Sequence, residues 1–204
     1  MSAAEFHFDV GSPNAYLCHA VLPAIEQRTG VKFTYVPVLL GGIFKATGNR
    51  SPIEAFAAVP AKLAYMRTEM ARFIAAHGLT RYQPNPHFPV NTLAAMRVAM
   101  AAERAGCLAP YVDAAFAAMW EQGRKLDDLE VLRATIDEAG LDAAALLEQA
   151  HSPAVKQALA DNTAASAARG CFGAPTFFVG KEMFFGKDRL AEVEAEIGRQ
   201  RLSP

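Results

Sequence analysis

The chain has 204 residues, of which 52% are hydrophobic and 20% charged, with a formal net charge of -1. That balance supplies a sizeable core and excludes an intrinsically disordered chain. It also lacks the basic excess that nucleic acid or an anionic membrane favours, so neither is expected as a partner.

The opening residues, Met1 to Asp9, show no basic region followed by an apolar run and a cleavage site. The apolar stretches are broken before membrane-spanning length, which leaves the cytoplasm as the expected location. Glu5-Phe6-His7-Phe8-Asp9-Val10 alternates apolar and polar residues and predicts a short strand, with His7 in a structural role. Gly11 breaks it. Ser12 then fits a helix N-cap and Pro13 the first helical position. The helix carries Tyr16, Leu17, Val21, Leu22 and Ile25 and closes at Gly30, and Pro23 inside it predicts a kink or a shifted boundary. Val31 to Leu39 is rich in branched and aromatic residues and predicts a second strand. A strand, helix and strand at this spacing form a βαβ unit with parallel strands.

From about Ile53 to Arg169 the composition turns to helix formers. Leu63, Met66, Met70, Phe73 and Ile74 share one helical face. Leu93, Met96, Val98 and Met100 share another, and Leu129, Leu132, Ile136 and Ala139 a third. The proline-rich run Gln83 to Pro89 cannot be helical. Ser152-Pro153 starts a further helix that ends at Gly170. Strands return at Thr176-Phe177-Phe178-Val179 and Glu182-Met183-Phe184-Phe185, joined by the turn residues Gly180-Lys181 as a hairpin. Asp188 is expected to cap a last amphipathic helix carrying Leu190, Val193 and Ile197. The expected fold class is α/β: a βαβ…ββα core split by a large all-helical insertion. The core takes residues 1–40 and 171–204 and the insertion 41–170.

Two positions carry candidate chemistry. Ser12 stands at a helix start, where free N–H groups and the positive dipole end hold an anion and lower a thiol pKa. It either serves as an anion site or only caps its helix. Gly173-Ala174-Pro175-Thr176 precedes the third strand. If Ala174–Pro175 is cis, the Ala174 backbone is free to pair with a peptide-like ligand; if trans, it is an ordinary strand start. The three cysteines, Cys18, Cys107 and Cys171, form no CxxC and no Cys/His cluster, so no disulfide framework and no metal site are expected.

Taken in order, these segments resemble the thioredoxin-like DsbA superfamily, with Ser12-Pro13-Asn14-Ala15 where a CxxC usually stands. The serine points to its kappa-class glutathione transferase and 2-hydroxychromene-2-carboxylate isomerase group. Val38 to Asn49, Gly170 to Val179 and Phe184 to Leu190 are similar to that group's segments after strand two, at the proline loop and at the final helix. The Gly-Lys-Asp-Arg version of the last segment leans toward the isomerase.

The resemblance implies a thioredoxin-like core with glutathione as cofactor and a small aromatic acid as substrate, in a homodimer. Ser12 would hydrogen-bond the glutathione sulfur and lower its pKa. The Ala174 backbone, next to Pro175, would hold the cysteinyl part. Lys187 and Asp188 match the γ-glutamyl end, and Asn49 matches a ligand contact. On the substrate side stand Lys45, as a carboxylate partner, with Asn91 and His87. Addition of a thiolate to a conjugated double bond, rotation and elimination would interconvert 2-hydroxychromene-2-carboxylate and trans-o-hydroxybenzylidenepyruvate. The alternatives are a kappa-type transferase that consumes glutathione, a non-catalytic binding module of the same fold, and an oxidoreductase acting through Cys18 or Cys171.

Overall fold

The computed structural model describes residues 4–202. Strand β1 (Ala4–Phe8) lies parallel to β2 (Phe33–Pro37), with the long helical crossover between them that parallel pairing needs. It pairs antiparallel with β3 (Thr176–Val179), and β3 forms a hairpin with β4 (Glu182–Phe185). The sheet order is β2-β1-β3-β4. Its two inner strands, β1 and β3, are therefore separated by the whole helical block.

Both faces of β1 are covered. Phe6 and Phe8 are buried, and Phe6 stacks on Phe8 and Phe177 with ring centroids 5.6 and 5.2 Å apart. Helix α1 (Pro13–Thr29) lies in this core with Leu17, Leu22 and Ile25. Ser12 caps it, Gly30 closes it in the left-handed conformation, and it runs on through Pro23. The opposite face presents His7. Its Nδ1 lies 2.7 Å from the Ser166 hydroxyl and its Nε2 2.8 Å from Glu5, which also pairs with Arg169 at 2.5 Å.

The segment between β2 and β3 is helical throughout its ordered elements. It comprises α2 (Leu40–Thr47), α3 (Pro52–Ala55), α4 (Pro60–His77), α5 (Leu93–Arg104), α6 (Leu108–Trp120), α7 (Leu129–Glu138), α8 (Ala143–Ala150) and α9 (Pro153–Ala168). Helix α5 is buried along most of its length, through Met96, Val98 and Met100. Helix α2 has no counterpart in the sequence expectations. Its Gly41-Gly42 pair is a poor helix former. The helix is held instead by tertiary contacts: Gly42 sits so close to α9 that an added Cβ would stand 2.9 Å from Thr163 Cγ2.

Two further expectations need correction. Leu129 is 52% exposed at the first turn of α7, while Leu132 and Ile136 of the same stripe are buried. Asp188 does not cap the last helix, α10 (Leu190–Leu202); it lies inside a short 3-10 turn (Lys187–Arg189) and its carboxylate pairs with Lys187 at 2.8 Å. Leu190, Val193 and Ile197 do face the core.

Burial pushes the His7 imidazole below its ordinary value of 6.5, against the opposing pull of Glu5. The unfolded chain then takes up the proton more readily, so stability is full above pH 6.5 and is lost as pH falls below it. Urea midpoints measured from pH 7 down to pH 5 are expected to drop more steeply for the wild type than for His7→Gln.

Candidate functional site

The end of β1 leads straight into the start of α1, and the intervening residues are clamped. Asp9 is fully buried and accepts three hydrogen bonds. They come from the Gly11 N–H at 2.9 Å, the Leu40 N–H at 2.8 Å and the Thr92 hydroxyl at 3.0 Å. Its carboxyl is pushed above its ordinary value by desolvation, with the three donors pulling the other way. The Trp120 indole donates to the Val10 carbonyl at 2.8 Å. At Gly11 an added Cβ would meet Thr92 Cγ2 at 2.8 Å, so the insertion presses directly on this turn.

Ser12 is 4% exposed. Its hydroxyl accepts the Ala15 N–H at 3.2 Å, as an N-cap does, and donates to the Ala174 carbonyl at 2.8 Å. The Ala174–Pro175 peptide is cis. The two motifs, 162 residues apart, are thus in direct contact. The loop before Ala174 is tightly packed: a Cβ at Gly173 would stand 2.9 Å from the Phe185 ring, which itself packs on Phe172 with centroids 4.4 Å apart. The Thr176 hydroxyl donates to the Gly173 carbonyl at 2.8 Å. Asn49, just beyond α2, donates to the Phe172 carbonyl at 2.8 Å and ties the insertion to this loop.

The remaining expected site residues are placed as follows. Lys187 is 4% exposed, with its ammonium between the carboxylates of Glu69 on α4 and Asp188, and 5.2 Å from the Phe73 ring centre. It fastens α4 to the core, and a buried cation requires such partners. Lys45 is exposed on α2. Asn91 accepts the Leu93 N–H at 3.1 Å at the start of α5. His87 is exposed on the proline-rich loop, whose Phe88–Pro89 peptide is also cis. Among the described residues no hydrogen bond or ion pair joins Lys45, Asn91 or His87 to Ser12 or Ala174.

Sequence pattern alone assigns no role to Asp9 or Thr92. The readable signal for Asp9 is a carboxylate at the end of an alternating strand, one residue ahead of the Gly11-Ser12-Pro13 turn. Among the described residues no group of His, Cys, Asp and Glu side chains is arranged to hold a metal. Cys18 is fully buried, and desolvation holds its thiol well above the ordinary value, so it supplies no thiolate. Among the described residues, too, no helix is long and apolar enough to cross a membrane.

Residues 4–198 match the family model described as the DSBA-like thioredoxin domain. The chain belongs to the DsbA-like thioredoxin family. Within this family its sequence is 32% identical over 199 residues to a 2-hydroxychromene-2-carboxylate isomerase of Pseudomonas putida, covering 96% of this chain and 94% of that one. The solved structure of a 2-hydroxychromene-2-carboxylate isomerase superimposes on this DsbA-like fold with a TM-score of 0.81 at 29% identity, covering 98% of this chain and 96% of the other. Glutathione S-transferase kappa 1 of Rattus norvegicus is 27% identical, covering 98% and 92%. The chain is accordingly a member of the isomerase family within the DsbA-like proteins, and its Ser12-Pro13-Asn14-Ala15 segment contains no cysteine.

Asp9→Asn replaces one acceptor oxygen by an NH2 group that faces donors. The expected loss is about 1–3 kcal/mol of stability, with faster amide exchange at Gly11 and Leu40. Urea denaturation and hydrogen exchange measure the two effects.

Proposed function

We propose that the chain is a glutathione-dependent isomerase that interconverts 2-hydroxychromene-2-carboxylate and trans-o-hydroxybenzylidenepyruvate in the breakdown of naphthalene-type aromatic compounds. The observation that carries this reading is the buried Ser12 hydroxyl at the amino end of α1, 2.8 Å from the carbonyl of Ala174 beside the cis proline.

The residues present suit glutathione. The first turn of α1 offers the Ser12 hydroxyl at the positive end of the helix dipole, and both hydroxyl and dipole favour an anion. Cys18, buried with its thiol held well above the ordinary value, does not compete as a nucleophile. When bound, glutathione supplies a thiolate whose reversible addition turns the conjugated double bond into a single bond about which rotation is easy.

The chain's own part is preparation. Ser12 has one proton to give, and here it goes to Ala174. On ligand binding the hydroxyl turns that proton toward the sulfur, which lowers the thiol pKa. The Ala174 backbone aligns the cysteinyl part, and the exposed carboxylate of Asp188 stands ready for the γ-glutamyl ammonium. Lys45, with its charge free in solvent, draws in the substrate carboxylate. Asn91 and His87 border the substrate side. Asn49 acts by holding the Phe172 carbonyl, and so positions the loop before Ala174. The protein works as a cytoplasmic homodimer.

The kappa-type transferase relative favours one alternative, conjugation of glutathione to an aromatic electrophile. Turnover with glutathione far below the substrate concentration separates the two, because a transferase stops when glutathione is used up. A binding module of the same fold would give no calorimetric signal with reduced glutathione.

Ser12→Ala is expected to keep the fold with a loss of about 1 kcal/mol from the missing cap. Turnover slows, and the rising limb of the pH–rate profile moves to higher pH as the bound thiol loses its donor. A variant with full rate and an unmoved profile would overturn the assigned role.

A further inference from the structure

Away from Ser12, a cavity of about 390 Å³ opens between α1, β2 and α6. His19 and Glu26, which line it, lie about 10 and 21 Å beyond Ser12 along α1 at 1.5 Å per residue. The isomerase reading gives this cavity no part. Its walls are apolar, formed by Pro23, Phe33, Leu108, Ala109 and Val112. A concave apolar space of this size with a few fixed polar groups is the form of a small-molecule site.

The polar groups of the lining form one fixed array. His19 stacks on Phe116 with ring centroids 4.9 Å apart and bridges two partners. Its Nε2 lies 3.0 Å from Asp113 Oδ1 and its Nδ1 2.9 Å from the Tyr35 hydroxyl. A nitrogen facing a carboxylate carries the proton, so Nδ1 is assigned as the acceptor of the Tyr35 proton. Both donors of the array are thereby spent within it. Burial, Glu26 and Asp113 hold the Tyr35 phenol above its ordinary value, so it keeps its proton and is no nucleophile. What is left over is acceptor capacity. A carboxylate has about four lone-pair sites, and on Asp113, whose side chain is 69% exposed, the imidazole takes one. Pro23 has no N–H to give the His19 carbonyl. Glu26 adds a second carboxylate, which already carries an ammonium, that of Lys32 at 2.6 Å, alongside the Phe33 N–H at 2.9 Å. Among the described residues no lysine, arginine, hydroxyl or amide side chain other than the committed Tyr35 lines the cavity.

We propose that this cavity is a second binding site, for a small organic ammonium ion with a short aromatic or branched alkyl body, and that Asp113 is its ion partner. The ligand supplies what the lining lacks, namely N–H donors and a positive charge, and its apolar body lies against Phe33, Leu108 and Val112. A charge-assisted hydrogen bond to a carboxylate is about twice as strong as a neutral one. An acidic substrate of the isomerase type has the wrong sign for this lining, so the proposal is independent of that reading.

The test titrates the full chain in phosphate buffer at neutral pH with 2-phenylethylammonium, its neutral counterpart 2-phenylethanol and the anion 3-phenylpropanoate, following backbone amide resonances. The ammonium is expected to shift the amides of His19, Tyr35 and Asp113 and to bind about tenfold tighter than the alcohol, with the anion weakest. Asp113→Asn lowers the ammonium to the affinity of the alcohol and leaves the alcohol unchanged, and Asp113→Glu keeps the preference. Asp113→Ser repeats the measurement should the amide disturb His19. Ala109→Trp fills the cavity and abolishes binding of both, whereas Ser12→Ala changes neither. Equal affinity of the wild type for ammonium and alcohol overturns the proposal. So does ammonium binding that survives Asp113→Asn at full strength, or that is lost in Ser12→Ala. Amides of His19, Tyr35 and Asp113 that stay unmoved at about 10 mM ammonium overturn it as well.

Discussion

Asp9 ends the central strand with a carboxylate that has no access to water, and three segments of chain converge on it. Its donors come from the turn ahead of α1, from the first residue of α2 and from the residue before α5. Burying a carboxyl group is unfavourable, and the arrangement persists because each lone-pair direction that matters meets a donor. The geometry of everything nearby follows. Leu40 opens α2, Thr92 stands in the helical block and Asp9 follows β1, so no one of these segments sets the shape of the Gly11–Ser12 turn without the others.

The same seam is fastened at other points by polar contacts of similar design. Trp120 reaches from α6 to the Val10 carbonyl, Asn49 from the end of α2 to the loop before the cis proline, and Lys187 from the carboxy-terminal part to Glu69 on α4. The Trp120 and Lys187 contacts satisfy groups that would otherwise be buried and unpaired, which makes them specific in register as well as favourable. The serine and the proline loop are therefore held by the seam around them, and the sheet beneath supplies the rigid floor.

Much of this was legible from residue order alone. The strand–helix–strand opening and the closing hairpin announce themselves through alternation, Ser-Pro and Gly-Lys punctuation, and those signals are local. Helix α2 was not legible, because its stability comes from Thr163 and Asp9, residues far away in sequence, and its own Gly-Gly start argues against it. Asp188 misled for the opposite reason: an acid before an amphipathic run is a good local cap, yet the buried ammonium of Lys187 claimed it. At the site, Ser12 and Ala174 stood out by motif, and the structure puts them in contact. Asp9 matters through burial and partnership, properties that no single-residue pattern records.

The strand order carries a consequence for how the molecule comes into being. Ala4 pairs with Phe33 on one side and with Val179 on the other. On a ribosome, β1 emerges first and meets β2 at once, but its second neighbour is made only after the whole helical block. This inner strand is thus exposed along one edge until the helical block has been made. Contacts of such long separation close late, after the local helices have formed. A nascent chain stalled before residue 176 would present an apolar, unpaired strand edge to its surroundings, and would be a natural client for chaperones.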